Sequence, residues 1–317
     1  MTFRLDDHWV WDYWLADDGA TFHLYYLRAP KSLGDPELRH RNARIGHAMS
    51  NDLREWVDLG EVLSPGGPSD FDANSTWTGS IVRDHDGLWW MFYTGARWDG
   101  AGNSQAIGMA TSPDLHTWTK TEGVVIEADT RWYEKRGESS WTDEAWRDPW
   151  VFYDESLGLW RMLITARANF GADDSRGVVG HAVSTDLLNW EVGAPLSEPD
   201  NGFAHLEVLQ STEVDGRAVL LFSCDTLALS HERREVGETG GIWSLPLELD
   251  RPPIAITEAR LLSPQSRYSG RLTVDRSGHT VMLAFEATGS DGEFQGRICD
   301  PIRVDWSADG SRLQVHE

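Results

Sequence analysis

Residues 86–94 read Asp86-Gly87-Leu88-Trp89-Trp90-Met91-Phe92-Tyr93-Thr94, a small-residue turn running straight into an apolar strand. The device recurs four times: Asp18-Gly19 before residues 21–27, Leu157-Gly158 before 159–165, Asp215-Gly216 before 218–223 and Ser277-Gly278 before 280–286. The five glycines are 68, 71, 58 and 62 residues apart. Glycine at such a turn supplies the positive φ that a tight hairpin needs.

A second theme follows three of these strands. Residues 48–56 read Ala-Met-Ser-Asn-Asp-Leu-Arg-Glu-Trp, residues 110–118 Ala-Thr-Ser-Pro-Asp-Leu-His-Thr-Trp, and residues 182–190 Ala-Val-Ser-Thr-Asp-Leu-Leu-Asn-Trp. In the shared Ala-x-Ser-x-Asp-Leu-x-x-Trp, a strand ends at Ser, Asp-Leu makes a turn, and Trp opens an outer strand. The Asp and Trp read as turn former and inter-blade packing rather than as chemistry. Five strand-rich units with almost no helical periodicity predict an all-β chain: a single five-bladed β-propeller of four-stranded blades. No composition shift or linker divides it, so residues 1–317 read as one catalytic domain, with 297–317 completing the last blade. No C-terminal β-sandwich is expected.

The charge removes several classes of function. Lys plus Arg number 28 against 51 Asp plus Glu, a formal charge of −23. Such a field repels phosphate backbones and anionic lipid, so neither nucleic acid nor membrane is an expected partner. No run approaches the ~20 apolar residues of a spanning helix. The two cysteines, Cys224 and Cys299, suit a reducing compartment, and with no apolar leader the expected location is cytoplasmic. The eleven histidines show no metal-ligand spacing, and no phosphate loop or nucleophile elbow stands out, so no cofactor or metal is expected. Arg39, Arg41 and Arg44 form a local basic patch that reads as solvated or ion-paired. Seventeen Trp in 317 residues suggest repeated packing positions, sugar-stacking surfaces, or both.

Innermost propeller strands converge at one mouth of a central channel. Counting back from each glycine turn places Asp12 at the start of blade one, Trp77-Thr78-Gly79-Ser80 in blade two and Asp148 in blade three. Glu207 falls in blade four, and Ser269-Gly270-Arg271 in blade five. Three blades thus bring a carboxylate to about one level. Like charges gathered in a desolvated funnel raise at least one pKa and cost stability, which points to use.

At these positions the sequence resembles the retaining β-fructosidases of glycoside hydrolase families 32 and 68, which share a five-bladed propeller. Trp11-Asp12-Tyr13-Trp14 resembles the nucleophile segment of family 68. His23-Leu24-Tyr25-Tyr26-Leu27-Arg28-Ala29-Pro30 is similar to the family 32 strand that follows its nucleophile. Phe71-Asp72-Ala73-Asn74, running on to Trp77-Thr78-Gly79-Ser80, is similar to the family 32 segment ending in Ser-Gly-Ser, and Arg147-Asp148-Pro149 matches the Arg-Asp-Pro motif. The resemblance implies a small carbohydrate substrate, Asp12 as nucleophile, Glu207 as acid/base and Asp148 as the residue that holds sugar hydroxyls. Arg147, Arg271, Trp9, Trp11 and Trp77 become the expected substrate contacts. The chain departs from the pattern at Val208-Leu209, where Cys-Pro or Arg-Pro usually follows the Glu, and at Leu27, where family 32 commonly has Gln. Two other readings stand beside this one: an inverting furanosidase or xylosidase of family 43 type, and a non-catalytic carbohydrate-binding propeller.

Overall fold

Every glycine turn is the hairpin between the first two strands of a blade, and all five glycines have positive φ, from 65° at Gly158 to 94° at Gly19. The structure, a computed structural model, describes residues 2–138, 141–289 and 293–316. Blade one is β1 (His8–Asp17), β2 (Phe22–Pro30), β3 (Arg44–Ser50) and β4 (Val57–Leu63). Blade two is β5 (Ser75–Arg83), β6 (Trp89–Trp98), β7 (Asn103–Ser112) and β8 (Thr119–Lys120). Blade three is β9 (Trp146–Asp154), β10 (Leu159–Arg167), β11 (Gly177–Ser184) and β12 (Glu191–Gly193). Blade four is β13 (Glu207–Val214), β14 (Arg217–Cys224), β15 (Gly241–Pro246) and β16 (Arg260–Pro264). Blade five is β17 (Arg267–Val274), β18 (Thr280–Thr288), β19 (Phe294–Ile298), β20 (Ile302–Trp306) and β21 (Leu313–His316). Blades one to four are antiparallel meanders, blade five is an antiparallel sheet of five strands, and β1, β5, β9, β13 and β17 contact one another around the axis. Among the described residues no helix is long and apolar enough to cross a membrane.

Blade five shows how the ring closes. Its third position is shared by β19 and β20, which pair with opposite ends of β18. Pro301 stands between them and has no N–H for the ladder. The N-terminal segment then binds the free side of β19: Phe3 and Ile298 exchange both backbone hydrogen bonds, at 3.0 and 2.9 Å. Closure therefore uses both ends of the chain, whereas the sequence pointed only to residues 297–317.

The Ala-x-Ser-x-Asp-Leu-x-x-Trp repeats are structural. Leu53, Leu115 and Leu187 take φ of 64°, 65° and 65°, unusual for non-glycine residues. That conformation costs about 1–2 kcal/mol. Each Leu is buried, which returns about 2 kcal/mol. The preceding Asp closes the turn, as where Asp52 accepts from the backbone N–H groups of Arg54 and Glu55, both at 2.8 Å. Trp56 and Trp190 donate Nε1–H to the carbonyls of Leu53 and Leu187.

Candidate active site

All five innermost strands carry one extra residue at the same height. Trp11 pairs with Leu27 and Tyr13 with Tyr26, leaving Asp12 unpaired. Thr78 is likewise skipped between Trp77 and Gly79. In β9, β13 and β17 two residues oppose one: Asp148-Pro149, Val208-Leu209 and Ser269-Gly270. Bulges of this kind bend a strand and re-aim side chains, and they collect at barrel rims and active sites. Asp148, Val208 and Ser269 have φ of 56°, 54° and 52°. For the β-branched Val208 this is a strained backbone.

The bulges sort the residues at the mouth into two tiers. Trp11, Trp77, Arg147, Glu207 and Tyr268 form the upper tier, each one residue before its bulge. Asp12, Thr78, Asp148, Val208 and Ser269 form the lower. This corrects the sequence reading twice. Asp12 is in the middle of β1 rather than at its start, because the strand begins at His8. Glu207 stands one tier above Asp12 and Asp148 instead of level with them.

The tiers open into a cavity of about 830 Å³ lined by all three acids, within the size range of small-ligand sites. A second hollow of about 880 Å³ lies at the outer edges of blades four and five, remote from the converging strands. Of the expected contacts, Trp11, Trp77 and Arg147 line the cavity, together with the departure residues Leu27 and Val208. Trp9 and Arg271 do not. Trp9 packs against β19, where a Cβ on Gly296 would stand 3.1 Å from its ring. Arg271 is 1% exposed, donates to the Leu209 carbonyl and stacks 4.8 Å from the Trp150 ring. Burial pushes its guanidinium down to about 10. Both corrections have the same cause: these positions lie to either side of the bulged level and so face packed blades.

Each acid has a distinct environment. Asp12 accepts from Thr78 Oγ1 at 2.7 Å and from Ser269 Oγ at 2.5 Å. Burial raises its pKa above the ordinary carboxylate range, with the two hydroxyls opposing and the Glu207 charge adding to the rise. Asp148 is 3% exposed and accepts from Thr165 Oγ1 at 2.9 Å and from the Val208 N–H at 3.2 Å. Burial, opposed by Arg147 and reinforced by Asp12 and Glu207, lifts it to about 7. Glu207 accepts from Arg147 Nη2 at 2.6 Å through Oε1 and from the Tyr268 hydroxyl through Oε2. His40 and His205, both on the cavity, are driven down by burial, His40 to about 4. Their imidazoles are therefore neutral near pH 7, and the wall's positive charge comes from Arg39, Arg41 and Arg147.

The basic patch divides. Arg39 and Arg41 reach the cavity and stack on Phe294 and Trp98 at 4.1 and 4.3 Å, whereas Arg44 pairs with Glu61 at 3.2 Å. Asp143 lines the rim, while its neighbour Glu144 is buried against Lys135. Tyr268, His205, Gln105, Trp98 and Trp141 join the wall without having been expected there. The register signal was available for Tyr268 alone of these, since it occupies the Glu207 position of blade five.

A carboxyl raised from about 3.9 to about 7 destabilises the fold above pH 7. Between pH 4 and 7 the folded chain holds a proton that the unfolded chain releases, so stability falls as pH rises through that window. Asp148→Asn removes the titration. The substitution is expected to stabilise the protein by about 2–4 kcal/mol at pH 8 and by far less at pH 4. Urea denaturation at the two pH values measures the difference, and equal stability of the two proteins at pH 8 would refute it.

Comparison with known proteins bears on the family and the fold. Residues 15–243 match the glycosyl hydrolases family 32 N-terminal domain. The chain is 27% identical over 200 residues to a β-fructofuranosidase, insoluble isoenzyme CWINV6, from Arabidopsis thaliana, covering 59% of this chain and 33% of that protein. It is 31% identical over 179 residues to β-fructofuranosidase, insoluble isoenzyme 6, from rice (Oryza sativa subsp. japonica), covering 55% of this chain and 26% of that one. The matched stretch thus spans a third or less of these relatives. Among solved structures, an inulosucrase from Halalkalicoccus jeotgali bound to kestose superposes with a TM-score of 0.78 at 23% identity, covering 98% of this chain and 87% of that one. The family 32 β-fructofuranosidase BmSUC1 of Bombyx mori gives 0.73 at 20% identity, covering 99% and 64%. These two likenesses establish the five-bladed fold. With residues 15–243 matched, from the end of the first strand, past its bulge, to the third strand of blade four, the chain belongs to glycosyl hydrolase family 32.

Proposed function

We propose that this protein is a retaining glycoside hydrolase acting on β-fructofuranosides, sucrose or short fructo-oligosaccharides, with transfer of fructosyl units to acceptor sugars. The observation that carries the reading is the two-tier placement of the acids. Asp12 is deep in the cavity on blade one, and Glu207 is one tier higher on blade four. A furanosyl ring seated between them presents its anomeric carbon to Asp12 and its leaving oxygen to Glu207.

In the first step an Asp12 oxygen bonds to the anomeric carbon while the bond to the aglycone breaks. Glu207 gives its proton to the departing oxygen. In the second step Glu207 takes a proton from water or from a sugar hydroxyl, whose oxygen attacks the same carbon and frees Asp12 as a carboxylate. Two inversions leave the configuration unchanged. In its acid form Glu207 keeps Arg147 on Oε1 and reverses the Tyr268 contact, so that Oε2–H donates to the phenol oxygen until a leaving oxygen replaces it. Asp148 accepts hydrogen bonds from ring hydroxyls, which strengthen as charge develops. Leu27, Trp11 and Trp77 cover apolar faces of the sugar.

The β-fructofuranosidase names of the relatives and the kestose bound to the inulosucrase neighbour support a fructoside of this size. Cys224 and Cys299 are both free and buried, which suits the cytoplasmic location expected from the composition. The purified protein, incubated with sucrose, short inulin and levan oligosaccharides and aryl furanosides, should release fructose. At high acceptor concentration it should also form transfer products. Release of pentose alone, inverted product without transfer, or binding without turnover would each overturn the proposal.

A further inference from the structure

Ser269-Gly270-Arg271 is the blade-five member of the bulge ring, and it carries no acid. Its geometry is nevertheless specific. Ser269 is fully buried and left-handed, and its N–H donates to Ser223 Oγ of β14 at 3.0 Å. Gly270 packs so closely on Ile242 that a Cβ would stand 2.7 Å from that side chain. The Arg271 N–H donates to the Tyr13 hydroxyl of β1 at 3.2 Å. The bulge is therefore fastened to blade four on one side and to blade one on the other. The Ser269 hydroxyl is left aimed at Asp12.

We infer that Ser269 is a positioning residue for Asp12: with Thr78 it forms a two-hydroxyl clamp, contributed by blades five and two, that fixes the plane of the carboxylate. Each hydroxyl donates to a different carboxylate oxygen. Each oxygen keeps a lone pair for other use, and rotation about the last side-chain bond is blocked. The residue types fit their backbones. Thr78 lies outside the left-handed region, whereas a β-branched residue at the φ of 52° found at 269 would be strained. The proposal rests on Asp12 acting as the nucleophile. It adds that this side chain is aimed partly by the last blade, which the chain ends hold against the first through Phe3 and Ile298. Hydrogen bonds from both hydroxyls also favour the ionised form of Asp12 against its burial.

Two substitutions separate the hydroxyl from the backbone. Ser269→Ala removes the donor and keeps a Cβ at positive φ, and Ser269→Gly removes the donor and relieves that strain. Both are expected to lower kcat on sucrose about 10- to 100-fold, the loss of one hydrogen bond to a charged group, with KM nearly unchanged. In both, the acid limb of the kcat/KM profile moves to higher pH. Carboxyl-13C titration of labelled aspartates, with the Asp12 signal identified by its loss in Asp12→Asn, should show the same upward move without any turnover. That readout stands even if the protein fails to cleave fructosides, so failure of the proposed function is distinguishable from failure of the clamp. An acid limb and an Asp12 titration unmoved in both variants would overturn the inference and leave Ser269 a packing residue.

Discussion

Asp12→Ala is expected to reduce kcat/KM for sucrose by at least about 10⁴-fold, since it removes the carboxylate that the proposed mechanism uses to form the glycosyl–enzyme bond. The fold should persist. Asp12 is held above its ordinary pKa by burial, so its removal relieves an electrostatic cost, and water entering from the cavity satisfies the hydroxyls of Thr78 and Ser269. The alanine also leaves room for a small nucleophilic anion. Azide added with an aryl β-fructofuranoside should restore turnover, displacing the phenol and yielding a fructosyl azide of inverted configuration. A folded Asp12→Ala protein that retains hydrolysis within tenfold of the wild type would remove Asp12 from the mechanism. Rescue with retained configuration would place the nucleophile elsewhere.

The second large effect is conditional on the leaving group. Glu207→Ala should lose about 10²–10⁴-fold on sucrose, whose departing sugar oxygen needs a proton, and much less on an aryl fructoside that leaves as a stable phenolate. With the activated substrate, return of the fructosyl unit to water becomes the slow step, because Glu207 is also the base that prepares the water. A burst of phenol followed by slow turnover is the expected kinetic record. Arg147 and Tyr268 lose their shared acceptor in this variant, so circular dichroism and a thermal melt belong beside the assay. Equal losses on both substrates in a folded protein would withdraw the acid/base assignment.

The departures from the family pattern acquire a physical setting in the structure. Val208, where Cys-Pro or Arg-Pro usually continues the segment, is the bulged residue of blade four, and its N–H reaches Asp148. The substitution keeps a backbone donor in the lower tier. Leu27 pairs with Trp11 and lines the cavity beside it. An apolar side chain there offers no hydrogen bond, so under the proposed function discrimination between fructose and other furanosides would fall to polar groups of the lining such as Asp148, Gln105 and the cavity arginines.

Blade number, the order of the blades and the convergence of Asp12, Asp148 and Glu207 on one mouth were legible in the sequence because they depend on local chemistry. A glycine at positive φ, an Asp that closes its own turn and an alternation of apolar residues each act within a few positions and repeat at a fixed interval. The same locality explains why Asp52, Asp114 and Asp186 could be set aside as turn formers. The two tiers were decided by tertiary structure alone. One extra residue in each inner strand changes which side chains face the axis, and nothing local marks it: Asp12 and Val208 occupy corresponding bulged positions with no chemistry in common. For the same reason Trp9 and Arg271 looked like cavity residues and are packing residues, two or three positions from the level that matters. The contacts that define the acids join blades whose residues are far apart in the chain, Asp12 to Thr78 and Ser269, Glu207 to Arg147 and Tyr268. Three of these form as consecutive blades pack, and the fourth, Asp12 to Ser269, exists only once the ring has closed and brought blade five against blade one.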